Sequence, residues 1–333
     1  MSTTLELAAA NLLSPIILSF VLGVCAALAR SDLSIPESIA KGLSIYLLFA
    51  IGFKGGVGVA AHGFDTTLIA TLVAGFVLSA GLPFVAYSML KLLSRLDRTN
   101  MAAVAAHYGS ISIVTFVAAS SVLQNQGISA EGYMVAVAAV MEGPAIISAL
   151  WLLSRGNAQA QHVAGQEPRR MDADLWREIL LNSSIVLLIG AFLIGLVTGE
   201  KGMQEIESFI VTPFKGVLCL FLLDMGLLAG RGLRNTRGKL SFGLLVFGML
   251  MPVIGSLVGL ISAMAIGLSV GGAMLLMVLA ASASYIAVPA AMRVALPEAD
   301  PGIYLTLSLG VTFPFNLTIG IPLYLALANA FLG

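Results

Sequence analysis

Apolar residues in this chain come in long runs rather than at the three-to-four-residue spacing of a half-buried helix, and polar residues cluster between the runs. Ten runs stand out, at about 12–28, 35–53, 66–92, 100–123, 131–153, 179–198, 206–228, 240–268, 271–295 and 302–331. Each is near the length of about 20 apolar residues that a helix needs to cross a bilayer. Membrane barrel strands would be about ten residues long with alternating polarity, and these runs are longer and continuously apolar. The pattern predicts an all-α membrane protein with ten transmembrane helices.

Composition agrees with the pattern. Of 333 residues, 59% are hydrophobic and 10% charged, against about 25% charged in a soluble domain, and the mean hydropathy is +1.00. This excludes a soluble enzyme and makes the lipid bilayer the first partner. The formal net charge is zero, so no basic field exists to hold nucleic acid. Residues 1–11 contain no Lys or Arg, so the first run reads as a retained helix rather than a secretory signal. Cys25 and Cys219 fall in different apolar runs and read as packing residues.

Sidedness follows from the basic residues, which collect in cytoplasmic loops. Alternate connections, starting with the first, hold 14 of the 17 Lys and Arg residues, and only Lys54, Lys201 and Lys215 fall on the other side. Both termini are therefore expected outside, with the loop from Ser154 to Glu178 in the cytoplasm.

The chain also resembles itself at an offset of about 172 residues, a period that signals internal duplication. Phe20 to Gly23 matches Phe192 to Gly195. Lys41-Gly42 with Gly52 and Gly56 matches Lys215-Gly216 with Gly226 and Gly230, Ser110 and Ser112 match Ser282 and Ser284, and Gly132 with Pro144 matches Gly302 with Pro314. Five helices per copy is an odd number, so the second copy enters the membrane from the opposite side. The expected organisation is a first five-helix repeat (1–153), a cytoplasmic linker (154–178) and a second, inverted five-helix repeat (179–333). Inverted repeats are typical of secondary transporters, which bind substrate near the midplane.

Hydroxyl residues interrupt the fourth helix of each copy, in His107-Tyr-Gly-Ser-Ile-Ser-Ile-Val-Thr115 and Ala281-Ser-Ala-Ser-Tyr-Ile-Ala-Val-Pro289. Side chains at i and i+2 diverge by about 200° on a helix but share a side of an extended segment. Ser110 with Ser112, and Ser282 with Ser284, converge only if both helices are broken there. Gly109 permits a break, and Pro289 frees the carbonyl of Tyr285. Broken helices that cross would aim N-terminal amides at one point, an anion site, with freed carbonyls and hydroxyls as hard oxygen ligands for Na⁺. The competing reading is that small residues merely let helices pack closely.

A charge at mid-bilayer costs about 2.5–3.5 kcal/mol on insertion scales, so the few within the runs carry information. Glu142, in Met-Glu-Gly-Pro144, stands beside a proline break that frees the carbonyl of Val140. It reads either as the carboxylate that balances one monovalent cation or as a cap on broken backbone. Its counterpart in the second copy is Thr312. Asp224 reads equally as a coupling carboxylate or a structural partner. His107 adjoins the first break and reads as a proton shuttle or a hydrogen-bonded core histidine, while Lys54 and Arg293 read as interface anchors. No P-loop is present, and His62, His107 and His162 are too scattered for a metal cluster. With no nucleophile and base paired in the sequence, an enzyme is disfavoured; no cofactor is expected, and energy would come from an ion gradient.

At these residues the chain resembles the sodium-dependent bicarbonate permease family. The resemblance is carried by Ser14-Pro-Ile, Ile35-Pro-Glu-Ser38, Gly109 to Thr115, Glu142-Gly-Pro-Ala145, Ala281 to Ser284 with Pro289 and Arg293, and Gly310 to Pro314. It implies a five-plus-five inverted fold, a homotrimer in the cell inner membrane, and symport of bicarbonate with Na⁺ as coupling ion. Carried over by position, Gly109, Ser110, Ser112, Thr115, Ser282 and Ser284 would hold the anion, and Glu142, Ser112, Tyr285 and Thr312 the sodium, with Asp224 as a further coupling candidate. The chain departs from the family pattern at Tyr285, where characterised members have an acid, and at Ala287 and Val288 in place of Ser and Gly. The cytoplasmic loop is shorter than in those members, whose PII-like regulator is a candidate partner here. Three functions follow: sodium-coupled uptake of bicarbonate or a similar small monovalent anion, sodium/proton exchange at Glu142 and Asp224, and a non-transporting membrane sensor.

Overall fold

The computed structural model describes residues 13–63, 65–161, 183–235 and 240–333. Most of the expected cytoplasmic connection, 162–178, lies outside them, as do Arg237 and Lys239. Among the described residues every regular element is helical, and eight helices are long and apolar enough to cross a membrane. Two shorter apolar helices, Pro15–Leu28 and Val270–Ala281, stand where two further crossings are expected.

In chain order the helices are α1 (Pro15–Leu28), α2 (Glu37–His62), α3 (Thr66–Leu93), α4 (Arg98–Gly109), α5 (Ile113–Asn125), α6 (Met134–Val140), α7 (Pro144–Gln161), α8 (Ser183–Ile210), α9 (Phe214–Asn235), α10 (Phe242–Ile266), α11 (Val270–Ala281), α12 (Ala287–Ala295) and α13 (Pro301–Leu332). Many begin at a Ser or Asp whose side chain accepts an otherwise unpaired amide of the first turn. Asp65 accepts from Leu68 N at 2.7 Å, Asp97 from Asn100 N at 2.9 Å, Ser269 from Gly272 N at 3.1 Å and Asp300 from Gly302 N at 2.8 Å.

Two expected boundaries move. The second helix continues past Phe53 to His62, and within it Lys54 sets its Nζ over the Phe214 ring, 4.4 Å from the centroid. The sixth run ends where expected, because Gly199 takes non-helical angles (φ 58°, ψ −150°), and a second helical piece follows it to Ile210, the two pieces together being labelled α8. As a result residues 206–210 belong to α8, and the seventh helix opens at Phe214, just past Pro213.

The helices sort into two groups. In the first, α1 packs along α9 and α2 along α8, and α2 also meets α9. The contacts are backbone on backbone at glycines: a Cβ on Gly23 would meet Gly226 Cα at 3.0 Å, and one on Gly52 would meet Ala191 Cβ at 2.9 Å. A Cβ on Gly195 or Gly56 would fall onto the carbonyl oxygen of Phe53 or Phe192. In the second group, α3 and α10 turn Ile69, Phe76, Val77, Phe242 and Ile261 outward and enclose α4, α5 and α11. The most apolar stretch of 98–125 is wholly buried. The two groups touch chiefly where α9 meets the first half of α13 and where α2 and α8 meet α6.

Candidate functional site

Both interrupted helices are broken where the serine pairs lie. Ser110 leaves α4 in extended conformation (φ −86°, ψ 169°) and Ser282 leaves α11 in nearly the same one (φ −87°, ψ 163°). Ser112 then caps α5: its Oγ accepts from Thr115 N at 3.2 Å and from Thr115 Oγ1 at 2.9 Å. On the other strand Ser284 Oγ accepts from Val288 N at 3.4 Å in the first turn of α12.

The two extended segments are bonded to each other deep in the protein. Ser284 N–H donates to the carbonyl of His107 at 2.8 Å. In the reverse direction Ser112 N–H donates to Ser282 Oγ at 2.9 Å, and that hydroxyl donates to the carbonyl of Leu279 at 2.9 Å. The second link is the first with a hydroxyl inserted, since Leu279 holds in the second break the place that His107 holds in the first. Ser110, Ser112, Thr115, Ser282 and Ser284 are all buried. Each unsatisfied backbone group at this depth would cost several kcal/mol; the crossing satisfies several with protein groups.

The fifth helix of the first half brings the carboxylate. The chain is interrupted between α6 and α7 at residues 141–143, and Glu142 is placed there, 6% exposed. With the backbone around Ser112 and Tyr285 it lines a cavity of about 10 Å³, which also receives Ser284 and Ile113. That is room for about one water-sized sphere. The Ser110 hydroxyl is within electrostatic reach of Glu142, and the Tyr285 phenol within reach of Ser112. Neither contact has hydrogen-bond geometry, so Ser110 Oγ, Glu142 Oε2 and Tyr285 OH are buried without a partner. Polar atoms without a partner are uncommon inside proteins, and each asks for an explanation.

Gly109 closes α4 and does not line the cavity: a Cβ there would meet Pro83 Cδ at 2.6 Å and Ala145 Cβ at 2.8 Å. It lets α4 approach α3 and α7. Thr312 is not brought to the cavity. Pro252 cannot donate to the carbonyl of Gly248 four residues earlier, and Thr312 Oγ1 donates to that oxygen at 2.6 Å while accepting from Tyr108 OH at 2.6 Å. Its hydroxyl is thereby committed to the scaffold. Asp224, on α9 and 7% exposed, also does not line the cavity; its electrostatic partner is Arg231 on the same helix. His107 sets its Nδ1 2.6 Å from the carbonyl of Ala103 and stacks on Tyr304 at 4.4 Å, with Nε2 unpartnered. For Arg293 only the backbone, within α12, is described.

Two residues passed over in the sequence support the crossing. Asn316 Nδ2 donates to the carbonyl of Ala281, the last residue of α11, at 2.9 Å, and Tyr324 OH donates to Asn316 Oδ1 at 2.8 Å. An Asn in the middle of an apolar run was the available signal. Among the described residues no three His, Cys, Asp or Glu side chains gather as a metal site would require.

Two crossed helix breaks deep in an apolar protein, with a lone carboxylate and unpartnered hydroxyls beside them, suit small ions and include no nucleophile paired with a base. No curated protein matches the chain at a significant level. The family model of the Na⁺-dependent bicarbonate transporter superfamily matches residues 15–329. With that match spanning nearly all of its length, the chain is a multi-pass membrane protein belonging to the Na⁺-dependent bicarbonate transporter superfamily.

Proposed function

We propose that this protein takes up bicarbonate, or a similar small monovalent anion, together with Na⁺ at the crossing of the two helix breaks. The observation that carries the proposal is the set of buried, unpartnered oxygens there: Glu142 Oε2, Ser110 Oγ and Tyr285 OH. Glu142 supplies the single negative charge that one Na⁺ requires, with the two hydroxyls as neutral oxygen ligands. Tyr285 adds no second charge, which favours one Na⁺ per anion. Moving an anion inward against 100 mV, negative inside, costs about 2.3 kcal/mol. One Na⁺ per anion cancels that cost and leaves the sodium gradient as the driving force.

The anion end is the first turn of α5. Thr115 N is taken by Ser112, but the amides of Ile113 and Val114 have no partner within the helix, and the helix dipole adds to their attraction for negative charge. Ser112, Ser282, Ser284 and Thr115 then act chiefly as positioning residues, holding the broken ends in place. A planar three-oxygen anion is larger than the cavity of about 10 Å³, so loading it requires the two breaks to separate.

The same reading takes the fold as two inverted five-helix repeats, and the contacts support it in pairs. The packing of α1 on α9 through Gly23 and Gly226 is mirrored by that of α8 on α2 through Gly195 and Gly52. Asp300 N–H, just before α13, donates to Asn100 Oδ1 near the start of α4 at 2.8 Å. Correspondingly Glu131, before α6, accepts from Ser269 N at 2.8 Å and Ser269 Oγ at 2.9 Å at the start of α11. Each broken helix is thus anchored by the loop preceding the fifth helix of the other repeat. The basic residues favour both termini outside.

The decisive experiment is uptake of labelled bicarbonate, other carboxylates and sulfate into proteoliposomes, with and without a sodium gradient. Uptake should need Na⁺ and fall at least tenfold in Glu142→Gln. Uptake indifferent to Na⁺ would refute the coupling. Sodium-driven proton movement with no anion requirement would point to exchange, and anion binding without flux to a sensor.

A further inference from the structure

At the end of the molecule where α1 and α9 both terminate, Arg30, Arg231 and Arg234 surround an open cleft of about 500 Å³, with Ala27 and Ser31 completing its wall. Among the described residues, Arg231 Nη2 donates to the carbonyl of Leu33 at 2.9 Å and Arg234 Nη1 to that of Ala27 at 3.0 Å. A guanidinium carries five N–H donors in a fixed fork, so most of the donors in the cleft have no partner among the described residues. Among the described residues no carboxylate forms an ion pair with the three arginines; Asp224, two turns back on α9, acts on Arg231 only at a distance.

The backbone gives an independent indication that the third charge has a use. After α1 the chain closes with Arg30 N donating to Ala27 O at 3.2 Å and Ser31 N to Ala26 O at 2.9 Å. This is the two-bond helix ending in which a residue just past the helix enters the left-handed region, a place usually taken by glycine. Here Arg30 adopts φ 59°, and it is the only non-glycine residue with positive φ among the described residues. A bulky side chain is retained at a position where its backbone is strained, and that side chain faces the cleft.

Exposed apolar side chains stand beside the cleft. Leu28, Leu33 and Leu228 are large apolar side chains exposed at the same end of α1 and α9, so an apolar surface runs up to the arginines. We propose that this cleft binds a phosphate anion, presented by the headgroup of an anionic phospholipid such as phosphatidylglycerol, whose acyl chains lie along that apolar surface. Basic pockets between membrane helices hold such headgroups by charge and by the fit of guanidinium forks to phosphate. The bound lipid would bridge α1 and α9 at one end of the helix pair. This site is separate from the ion crossing, and neither depends on the other.

The test uses the full chain in nanodiscs of mixed phosphatidylglycerol and phosphatidylcholine, with lipid retention read by native mass spectrometry after transfer to detergent. Arg30→Gly removes one charge while supplying the residue that the left-handed turn prefers. It should unfold at or above the wild-type temperature yet retain phosphatidylglycerol about fivefold less, the loss expected for about 1 kcal/mol per basic residue near an anionic surface. Arg231→Gln together with Arg234→Gln should lower retention further. Retention of phosphatidylglycerol no better than phosphatidylcholine, or unchanged in Arg30→Gly, would overturn the proposal. Displacement of the lipid by inorganic phosphate or glycerol 3-phosphate at equal concentration would assign the cleft to a soluble phosphate and overturn the lipid assignment.

Discussion

Glu142 and Thr312 occupy matching places in the two halves, and their surroundings divide their roles. Glu142 has a buried oxygen with no partner; Thr312 has a hydroxyl that both donates and accepts within the scaffold. Removing the first should cost transport and removing the second should cost stability. Thr312→Val keeps the shape of the side chain but leaves the Gly248 carbonyl and the Tyr108 hydroxyl unpaired, a loss of about 1–3 kcal/mol, readable as a lowered unfolding temperature in detergent. Asp97 offers a pH-dependent case outside the membrane. Burial alone would raise its carboxyl, but hydrogen bonds from the Asn100 backbone and side chain outweigh this and hold it below the ordinary value. A depressed folded-state value gives stability that is present above the unfolded value of about 3.9 and is lost as pH falls through the folded one. Unfolding temperature should therefore be flat in this respect above about pH 5 and fall below about pH 4, and the Asp97→Ala variant, lacking the cap at a cost of about 1 kcal/mol, should lack that component.

Among the elements, the informative features are where helices stop and where they touch. Ser110 and Ser282 leave their helices with closely similar backbone angles, and the extended residues beyond them trade hydrogen bonds across the two halves. Elsewhere contact depends on the absence of side chains. A Cβ on Gly56 would lie on the carbonyl oxygen of Phe192 and 2.6 Å from Leu196 N, whereas one on Gly190 would meet nothing within 4 Å. Gly56→Ala must push α2 off α8 and should destabilise by about 2 kcal/mol or more. Gly190→Ala, on the same helix pair, should be neutral or slightly stabilising. Thermal unfolding of the two variants side by side separates backbone approach from helix propensity.

Over the whole molecule, four helices (α1, α2, α8, α9) form one group, and the broken helices with their enclosing α3 and α10 form the other. At one end the groups are tied by Lys215 Nζ donating to Asn125 Oδ1 at 2.7 Å. If the groups shift against each other during transport, a covalent tie there stops it. In a background lacking Cys25 and Cys219, a reducible bifunctional thiol reagent that bridges the Lys215→Cys and Asn125→Cys pair should suppress uptake at least tenfold, and reduction should restore it. Full uptake by the cross-linked protein would show that these ends stay fixed together.

Much of this architecture was legible in the chain itself. Lipid surrounds the protein, so the apolar runs and the breaks at Ser110–Ser112 and Ser282–Ser284 follow from local solvation and backbone chemistry. Glu142 stood out as a candidate too, because a charge in an apolar run is costly, but the sequence alone left it between an ion ligand and a cap on broken backbone. The helical piece that follows the Gly199 break was not legible, since a polar stretch after a glycine offers no apolar pattern from which to read a helix. Nor was the division of labour among the hydroxyls. Gly109, Ser110, Ser112, Thr115, Ser282, Ser284 and Thr312 look alike along the sequence, and only their three-dimensional neighbours separate packing, capping and unpartnered groups. Sequence by itself determined that the protein is a bundle of apolar, membrane-spanning helices and where two of them break, because those are decided residue by residue against lipid. Tertiary structure alone decided which polar atoms remain unpaired, because a hydrogen bond is settled by a partner about 170 residues away, as Ser282 is for Ser112.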